Sequence, residues 1–207
     1  MKIKHFHLGI IRTNAYVGIN EETKEAFVVD PGEGQEHFLN YFEEEGYALK
    51  GILLTHGHFD HIGGVEALVK RYGAAVYAME DERALLKDPA VNLSNSTRRK
   101  MSIVDFVSLT DGEEIEVAGI KIKAIATPGH TAGGVCYYVE ENGVLFSGDT
   151  LFLESIGRSD FPTGSYGTLI RSVKEKLLVL PEDTIVYPGH MDATTIEHEK
   201  QHNPYIG

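Results

Sequence analysis

Residues 51–64 read GILLTHGHFDHIGG, and this stretch decides which fold the chain adopts. A short apolar run, typical of a buried strand, is followed at once by His56, His58, Asp60 and His61. Side chains alternate along an extended chain, so His56 and His58 can face one side, while Asp60 and His61 can address a neighbouring point. Imidazole and carboxylate groups are ligands that zinc and iron accept. The stretch therefore predicts a metal site at the end of a buried strand.

Three more candidate ligands follow β-like runs further along the chain. His130 stands in TPGHT, Asp149 in VLFSGDT and His190 in TIVYPGH. Loops at strand ends are where α/β proteins assemble their sites, so we expect these side chains to join the first four. Seven ligands are too many for one tetrahedral ion, and they suit two ions that share a bridging carboxylate.

The periodicity of apolar residues predicts an α/β fold in a single domain, residues 1–207. Two strand-rich blocks are each followed by helical patterns, which predicts two packed sheets with helices outside. Asn142-Gly143 predicts a hairpin turn, and the aperiodic residues 88–107 predict a long functional loop. Strands are predicted at residues 3–8, 14–19, 25–29, 51–54, 75–78, 114–117, 120–126, 135–139, 144–147 and 184–187, and helices at 35–45, 63–72 (with Val65, Leu68 and Val69 on one face), 81–86 and 165–178.

Composition and charge limit the possible partners. The chain has 31 acidic and 19 basic residues and a net charge of −12, which disfavours a nucleic-acid partner. The triplet Arg98-Arg99-Lys100 is interpreted as part of a solvated loop. Cys136 is the one cysteine, which excludes an internal disulfide, and it is predicted to be buried in the core. Without a signal-peptide pattern or a bilayer-length apolar run, the sequence predicts a cytoplasmic protein with no membrane partner; it leaves the oligomeric state open.

The motifs together resemble those of the metallo-β-lactamase superfamily. THGHFDH matches the signature T-H-x-H-x-D-H, and GHT, SGDTLF and PGH follow in the family's order. The chain looks like the glyoxalase II branch, the hydroxyacylglutathione hydrolases. The resemblance implies a four-layer αββα sandwich with two divalent metal ions, zinc or alternatively iron or manganese. It places His56, His58 and His130 on the first metal, Asp60, His61 and His190 on the second, and Asp149 as the bridge.

The activity implied is hydrolysis of S-acyl, especially hydroxyacyl, glutathione-like thioesters through a metal-bridging hydroxide, with Asp60 orienting that hydroxide. Full-length glyoxalase II has a helical carboxyl-terminal segment that helps to bind glutathione, whereas this chain ends soon after His190. The thiol carrier therefore stays open. Three alternatives remain beside the thioesterase: a mononuclear iron enzyme like persulfide dioxygenase, another hydrolase of the same fold, and a metal-binding protein with little turnover.

Several residues outside the ligand set have other predicted roles. Arg158 can bind a substrate carboxylate, or it can form an internal contact with Asp160 that shapes its loop. Residues 198–202, HEKQH, match a metalloprotease pattern, but their polar surroundings indicate an exposed terminal helix without metal. Three other histidines are interpreted as structural: His5, His7 and His37.

Overall fold

Two β-sheets of six strands each lie at the centre of the computed structural model, which describes residues 1–34 and 36–206. The first sheet contains, in spatial order, β1 (Lys2–Leu8), β2 (Thr13–Asn20), β3 (Glu25–Val29), β4 (Ala48–Leu53), β5 (Ala75–Met79) and β6 (Val107–Leu109). The first three strands are antiparallel, and β3 to β6 run parallel to one another.

The second sheet is built from the later part of the chain. Its order is β14 (Thr194–Thr195), β13 (Ile185–Pro188), β10 (Val144–Gly148), β9 (Val135–Val139), β8 (Ile120–Ala126) and β7 (Glu114–Val117). Neighbouring strands are antiparallel except for β10 and β13, which are parallel. Strands β11 (Leu151–Phe152) and β12 (Ser155–Ile156) form a separate short ribbon. The predicted antiparallel pairing across Asn142-Gly143 is confirmed.

Helices cover the outer faces of both sheets. They are α1 (Glu36–Glu44), α2 (Phe59–Ile62), α3 (Val65–Tyr72), α4 (Arg83–Lys87), α5 (Tyr166–Ser172) and α6 (Ile196–His202). Phe38 and Phe42, one turn apart on α1, are fully buried against the first sheet. On the second sheet, α5 continues into a π-helical turn at Val173–Leu177, whose end residues are buried. The expected αββα layering is thereby confirmed.

Two expectations about individual elements were wrong or incomplete, and one falls partly outside the described residues. Val69 is 36% exposed, unlike Val65 and Leu68, because it lies at the edge of their face, about 100° around the helix from Leu68. The loop at residues 88–107 contains a 3₁₀ turn, Ser94–Ser96, and its last residue begins strand β6. The start of the helix predicted at residues 35–45 lies at residue 35, outside the described residues.

The core between the sheets is aromatic and is crossed by a hydrogen bond. Phe27 from the first sheet meets Phe146 from the second with their ring centroids 6.1 Å apart. The buried hydroxyl of Tyr137, on β9, donates to the backbone oxygen of Leu54, at the end of β4, over 2.9 Å. This bond ties the second sheet to the segment that leads directly into the histidine loop. Cys136 beside it is fully buried, as predicted. No helix among the described residues has the length and apolarity to cross a bilayer.

Removing the Tyr137 hydroxyl tests how much this bond stabilises the sandwich. Tyr137→Phe leaves a buried carbonyl without its partner, so we expect the free energy of unfolding to fall by about 1–3 kcal/mol. Chemical denaturation measures the change. Tyr138→Phe is the matched control, because that hydroxyl makes no hydrogen bond within the described part of the chain and Tyr138 is also buried. Equal stability losses in the two variants would contradict a special role for Tyr137.

Candidate metal centre

The predicted ligands lie at one edge of the sandwich, where strands from both sheets end. His56 follows β4 in the first sheet, and His130 follows β8 in the second. Asp149 and His190 follow β10 and β13, whose parallel pairing brings their carboxyl ends side by side. The strand topology therefore delivers four separate loops to one place.

Three buried histidines form the first group of side chains. Nδ1 of His58 lies 2.9 Å from Nε2 of His130, which is itself 3.3 Å from Nε2 of His56. The Nδ1–H of His130 donates to the backbone oxygen of Arg158 over 2.6 Å, so its Nε2 is left as an acceptor that faces the other two rings. Three ring nitrogens thus converge on one point.

The second group adjoins the first and contains a carboxylate. Oδ2 of Asp60 lies 3.2 Å from Nε2 of His190 and 3.4 Å from Nε2 of His61. The hydroxyl of Thr13 donates to the same oxygen over 2.8 Å. Because Thr13 begins β2, this bond anchors the Asp60 loop to the first sheet.

Asp149 lies between the two groups and contacts both. Its Oδ1 is 3.5 Å from Nε2 of His61, and its Oδ2 is 3.6 Å from Nε2 of His130 and 3.7 Å from Nε2 of His190. Gly189 permits this approach, since a Cβ at that position would stand 2.3 Å from Oδ1 of Asp149. The structure therefore brings all seven sequence-predicted ligands together.

Asp30 lies against this centre and orients it. One carboxylate oxygen accepts from the backbone N–H of Thr55 over 2.8 Å, and the other accepts from the Thr55 hydroxyl over 2.6 Å and contacts Nδ1 of His61 at 2.9 Å. Asp30, His56 and His61 are also close enough to form a ligand group. Because both oxygens of Asp30 already have partners, we assign it to orienting His61 and not to binding an ion.

Burial determines the charge of the first group. It lowers the pKa of His56 well below its ordinary value and the pKa of His58 to about 3, and neighbouring imidazoles add to both effects. These rings are therefore neutral at pH 7, which is the form that binds a metal.

The second group attracts positive charge. Burial opposes a charge on His61, but Asp60, Asp149 and Asp30 outweigh it and raise the pKa of His61 to about 10. Burial likewise acts against charge on Asp60, yet His61, His190 and Thr13 lower its pKa overall. A buried cluster of this kind requires a cation, either a proton or a metal ion.

Unpartnered polar atoms show that the residues fit a metal. Nε2 of His61 and Oδ1 of Asp149 are buried and make no hydrogen bond among the described residues. Buried polar atoms normally have a partner, so orphans that face one another mark a place for an ion. Nitrogen and carboxylate donors of this kind suit zinc and also iron.

Sequence reasoning missed Glu82, which braces the loops of the first group. Its buried carboxylate accepts from the backbone N–H of Gly57 over 2.9 Å and from that of Gly133 over 2.8 Å. Gly57 separates His56 from His58, and Gly133 follows shortly after His130. No sequence signal could have identified Glu82, since it stands in the acidic run EDE, which is typical of a solvated surface. Asp30 was missed because Asp30-Pro31-Gly32 was interpreted only as a turn.

The Arg158 side chain makes the internal contact that was one of its two expected roles. Its Nε and Nη2 donate to the carboxylate of Asp160 over 2.9 and 2.8 Å. The guanidinium also lies over the ring of Phe161, 4.2 Å from its centroid. Phe161 in turn packs edge-on to His58, so the Arg158 loop borders the centre.

The HEKQH segment is not fully exposed, which corrects the expectation for this helix. Glu199 is buried and accepts hydrogen bonds from the Thr194 hydroxyl, the Asn203 amide and the backbone N–H of Glu154. The Glu199 carboxylate therefore fastens α6 to the β11–β12 ribbon. His198 pairs with Glu154 at 3.0 Å, away from the seven ligands.

The brace formed by Glu82 gives the protein a testable pH dependence. Burial raises the pKa of Glu82 from 4.5 to about 7, so the folded chain holds this proton more tightly than the unfolded chain does. The resulting stabilisation is complete below the unfolded pKa and is lost as pH rises through the folded pKa. Glu82→Gln cannot titrate. We compare the free energy of unfolding of the wild type with that of the variant. We expect the difference, wild type minus variant, to fall by about 3 kcal/mol as the pH rises from below 4.5 to above 7.

Denaturation of both proteins in chelator, at several pH values, measures this difference without a contribution from bound metal. A difference that stays constant with pH would contradict the assignment of the titration to Glu82.

Comparison with known proteins supports the same assignment of fold. Residues 9–190 match the family model described as the metallo-beta-lactamase superfamily. The chain is 36% identical to the probable metallo-hydrolase YqgX of Bacillus subtilis, over 100% of this chain and 98% of that protein. It is 35% identical to the hydroxyacylglutathione hydrolase GloC of Haemophilus influenzae, over 90% of this chain and 89% of that protein.

Solved structures agree over almost the whole length. The crystal structure of the BLEG-1 B3 metallo-beta-lactamase superimposes with a TM-score of 0.93 at 41% identity and covers 99% of both chains. The di-iron-bound form of TTHA1623 superimposes with a TM-score of 0.86 at 34% identity, over 98% of this chain and 99% of that one. Because the family model spans residues 9–190 and the two relatives align over 90% or more of the chain, the chain belongs to the metallo-β-lactamase superfamily.

Proposed function

We propose that the protein is a dinuclear metallohydrolase that cleaves thioesters of the S-hydroxyacylglutathione type. The observation that carries this proposal is the position of Asp149 between the two histidine groups: its Oδ2 lies beside His130 of the first group, and both of its oxygens lie beside rings of the second. A carboxylate so placed can bridge two ions. The similarity to GloC, named a hydroxyacylglutathione hydrolase, supports the choice of thioester among possible substrates.

The seven ligands divide between two ions in this proposal. His56, His58 and His130 would hold the first, Asp60, His61 and His190 would hold the second, and Asp149 would contact both. Two close divalent ions, zinc or alternatively iron or manganese, lower the pKa of water and polarise a carbonyl. TTHA1623 carries two irons, which supports a pair of ions at the corresponding site here.

Asp60 orients the attacking water. Its Oδ2 is occupied by Thr13, His61 and His190, whereas its Oδ1 makes no hydrogen bond among the described residues. Oδ1 is therefore available to accept a hydrogen bond from the water and to fix its direction of attack. A thiolate is a good leaving group because thiols have a pKa of about 8.5, so the reaction needs no dedicated general acid.

Arg158 is proposed to contact one of the two carboxylates of a glutathione-type substrate. Its pair with Asp160 is exposed on both sides, with side-chain exposures of 65% and 66%. Exposed ion pairs contribute little stability, so a substrate carboxylate can replace Asp160 at small cost. The neighbouring backbone oxygen of Arg158 orients His130, which keeps this loop beside the reacting carbonyl.

A mononuclear iron oxygenase is the other candidate of a different class. An enzyme with one metal would leave Asp60, His61 and His190 without an ion, although Nε2 of His61 is buried and unpartnered. That orphan favours two metals.

Metal analysis combined with two assays tests the proposal. We expect two metal equivalents per chain in freshly purified protein, hydrolysis of S-lactoylglutathione, and no oxygen uptake with glutathione persulfide. One iron per chain with oxygen uptake would contradict the hydrolase and support the oxygenase.

The bridging role of Asp149 predicts a loss of metal and not merely of rate. Asp149→Ala removes a carboxylate that faces both groups, so we expect total metal to fall from about two equivalents to about one or fewer. Elemental analysis after gel filtration measures the content. His202→Ala is the control, since His202 is exposed on α6 and should leave the metal content unchanged. Two full equivalents in Asp149→Ala would remove Asp149 from the bridge.

A further inference from the structure

A cavity of about 470 Å³ opens beside the metal centre. Phe59 and Asp60 are among its lining residues, so the cavity adjoins the candidate site. Its volume falls within the range of pockets that enclose whole small molecules, and it is larger than a short hydroxyacyl group requires. A molecule that fills it would contact Asp60, the residue proposed to orient the attacking water.

An apolar lip borders the cavity on the side of the β1–β2 turn. Ile10 is 96% exposed and Ile11 is 52% exposed, and both line the opening. Single exposed apolar side chains are common, but two adjacent ones at the mouth of a cavity form a patch that a ligand can cover. The turn is closed by a 3.4 Å hydrogen bond from the Arg12 N–H to the Gly9 oxygen, so the lip is held in place.

Another part of the lining comes from the loop at residues 88–107 and carries two arginines. Arg99 is already committed, because it donates to the Glu66 carboxylate and to the Gly63 backbone oxygen. Arg98 lines the cavity and makes no hydrogen bond or ion pair within the described part of the chain. Internal hydrogen bonds hold the loop that carries Arg98. The Thr97 hydroxyl donates to the backbone oxygen of Arg99 over 2.7 Å, and the Met101 N–H donates to the Ser94 hydroxyl over 2.9 Å.

Arg98 is therefore the one cationic side chain among the described lining residues that has no partner. Glu33 also lines the space and carries the opposite charge, on the side of the apolar lip. An anion that reaches Arg98 gains a charge-assisted hydrogen bond without displacing an internal partner.

We infer that this cavity binds the thiol-carrier arm of the substrate, and that it selects carriers with an apolar stem and a terminal anion. The inference rests on the proposed thioester hydrolysis. The stem packs against Ile10 and Ile11, and the anion, a carboxylate or a phosphate, pairs with Arg98. Arg98, interpreted from the sequence as part of a solvated loop, is exposed, and the inference adds a ligand for that side chain.

Binding of uncleavable thioethers to the metal-loaded protein tests the inference separately from catalysis. The probes are hexylthiopropionate, hexylthioethyl phosphate and the neutral hexylthiopropanol, followed by calorimetry. We expect the wild type to bind an anionic probe about tenfold more tightly than the neutral one. Arg98→Gln should reduce that preference to about twofold or less. Either anion supports the inference when its preference depends on Arg98, and the tighter one identifies the carrier class.

Matched controls separate the cavity from general charge and from the metals. Arg171→Gln removes an exposed arginine outside the cavity and should keep the wild-type preference. Ile10→Ser should weaken all three probes, whereas Val179→Ser, at a residue 70% exposed elsewhere, should weaken none. An anion bound directly by the metals would keep its preference in Arg98→Gln, and that result overturns the inference. So does an equal loss in Arg171→Gln, or a wild type without preference.

Measuring kcat/KM for two thioesters distinguishes failure of the inference from failure of the proposed function. S-lactoyl mercaptopropionate and S-lactoyl mercaptopropanol share an acyl group and differ in carrier charge. We expect Arg98→Gln to lower kcat/KM about tenfold for the first and to change the second little. A wild type that binds the anionic thioether through Arg98 but hydrolyses neither ester would contradict the proposed function and leave the binding inference standing.

Discussion

The crowding of buried imidazoles and carboxylates at one edge of the sandwich is the constraint on which the rest of the structure depends. Asp149 sits within 3.7 Å of three ring nitrogens, and three buried polar atoms of the cluster, Nε2 of His58, Nε2 of His61 and Oδ1 of Asp149, make no hydrogen bond among the described residues. Such an arrangement is costly unless a cation resides in it. Outer contacts from Asp30, Thr13 and Glu82 hold the loops in this unfavourable proximity before any ion arrives. The two sheets provide the rigid support from which those contacts act.

Much of this arrangement could be predicted from the sequence, because its central parts are local. The long strands have apolar runs that end in turns, and each of the seven ligands follows such a run. Strands β6, β11, β12 and β14 have only two or three residues, which is too short for a periodicity to show. These short strands form because they pair with a neighbouring strand. That pairing depends on the tertiary structure and leaves no local pattern in the sequence.

The supporting carboxylates illustrate the same limit more sharply. Glu82 meets the backbone N–H groups of residues 25 and 51 positions away, and Asp30 meets His61 across 31 positions. In sequence, both residues look like ordinary acids beside a turn or in a charged run. Glu199 was misjudged for the same reason, since a polar segment hides one buried carboxylate. Such residues become recognisable only when packing shows which backbone donors lack a partner.

The division of the first histidine group between the sheets has a consequence for a chain that holds a single cysteine. His58 belongs to the first sheet and His130 to the second, and they are 72 residues apart in the chain. An ion held by both would join the two halves as a covalent bridge does, and would close a long loop in the chain. The entropy removed by a cross-link of that span is worth roughly 4 kcal/mol in the chain-entropy treatment of disulfides. Bound metal would thus take part in the reaction and would also cross-link the two halves of the chain, which its single cysteine cannot do through a disulfide.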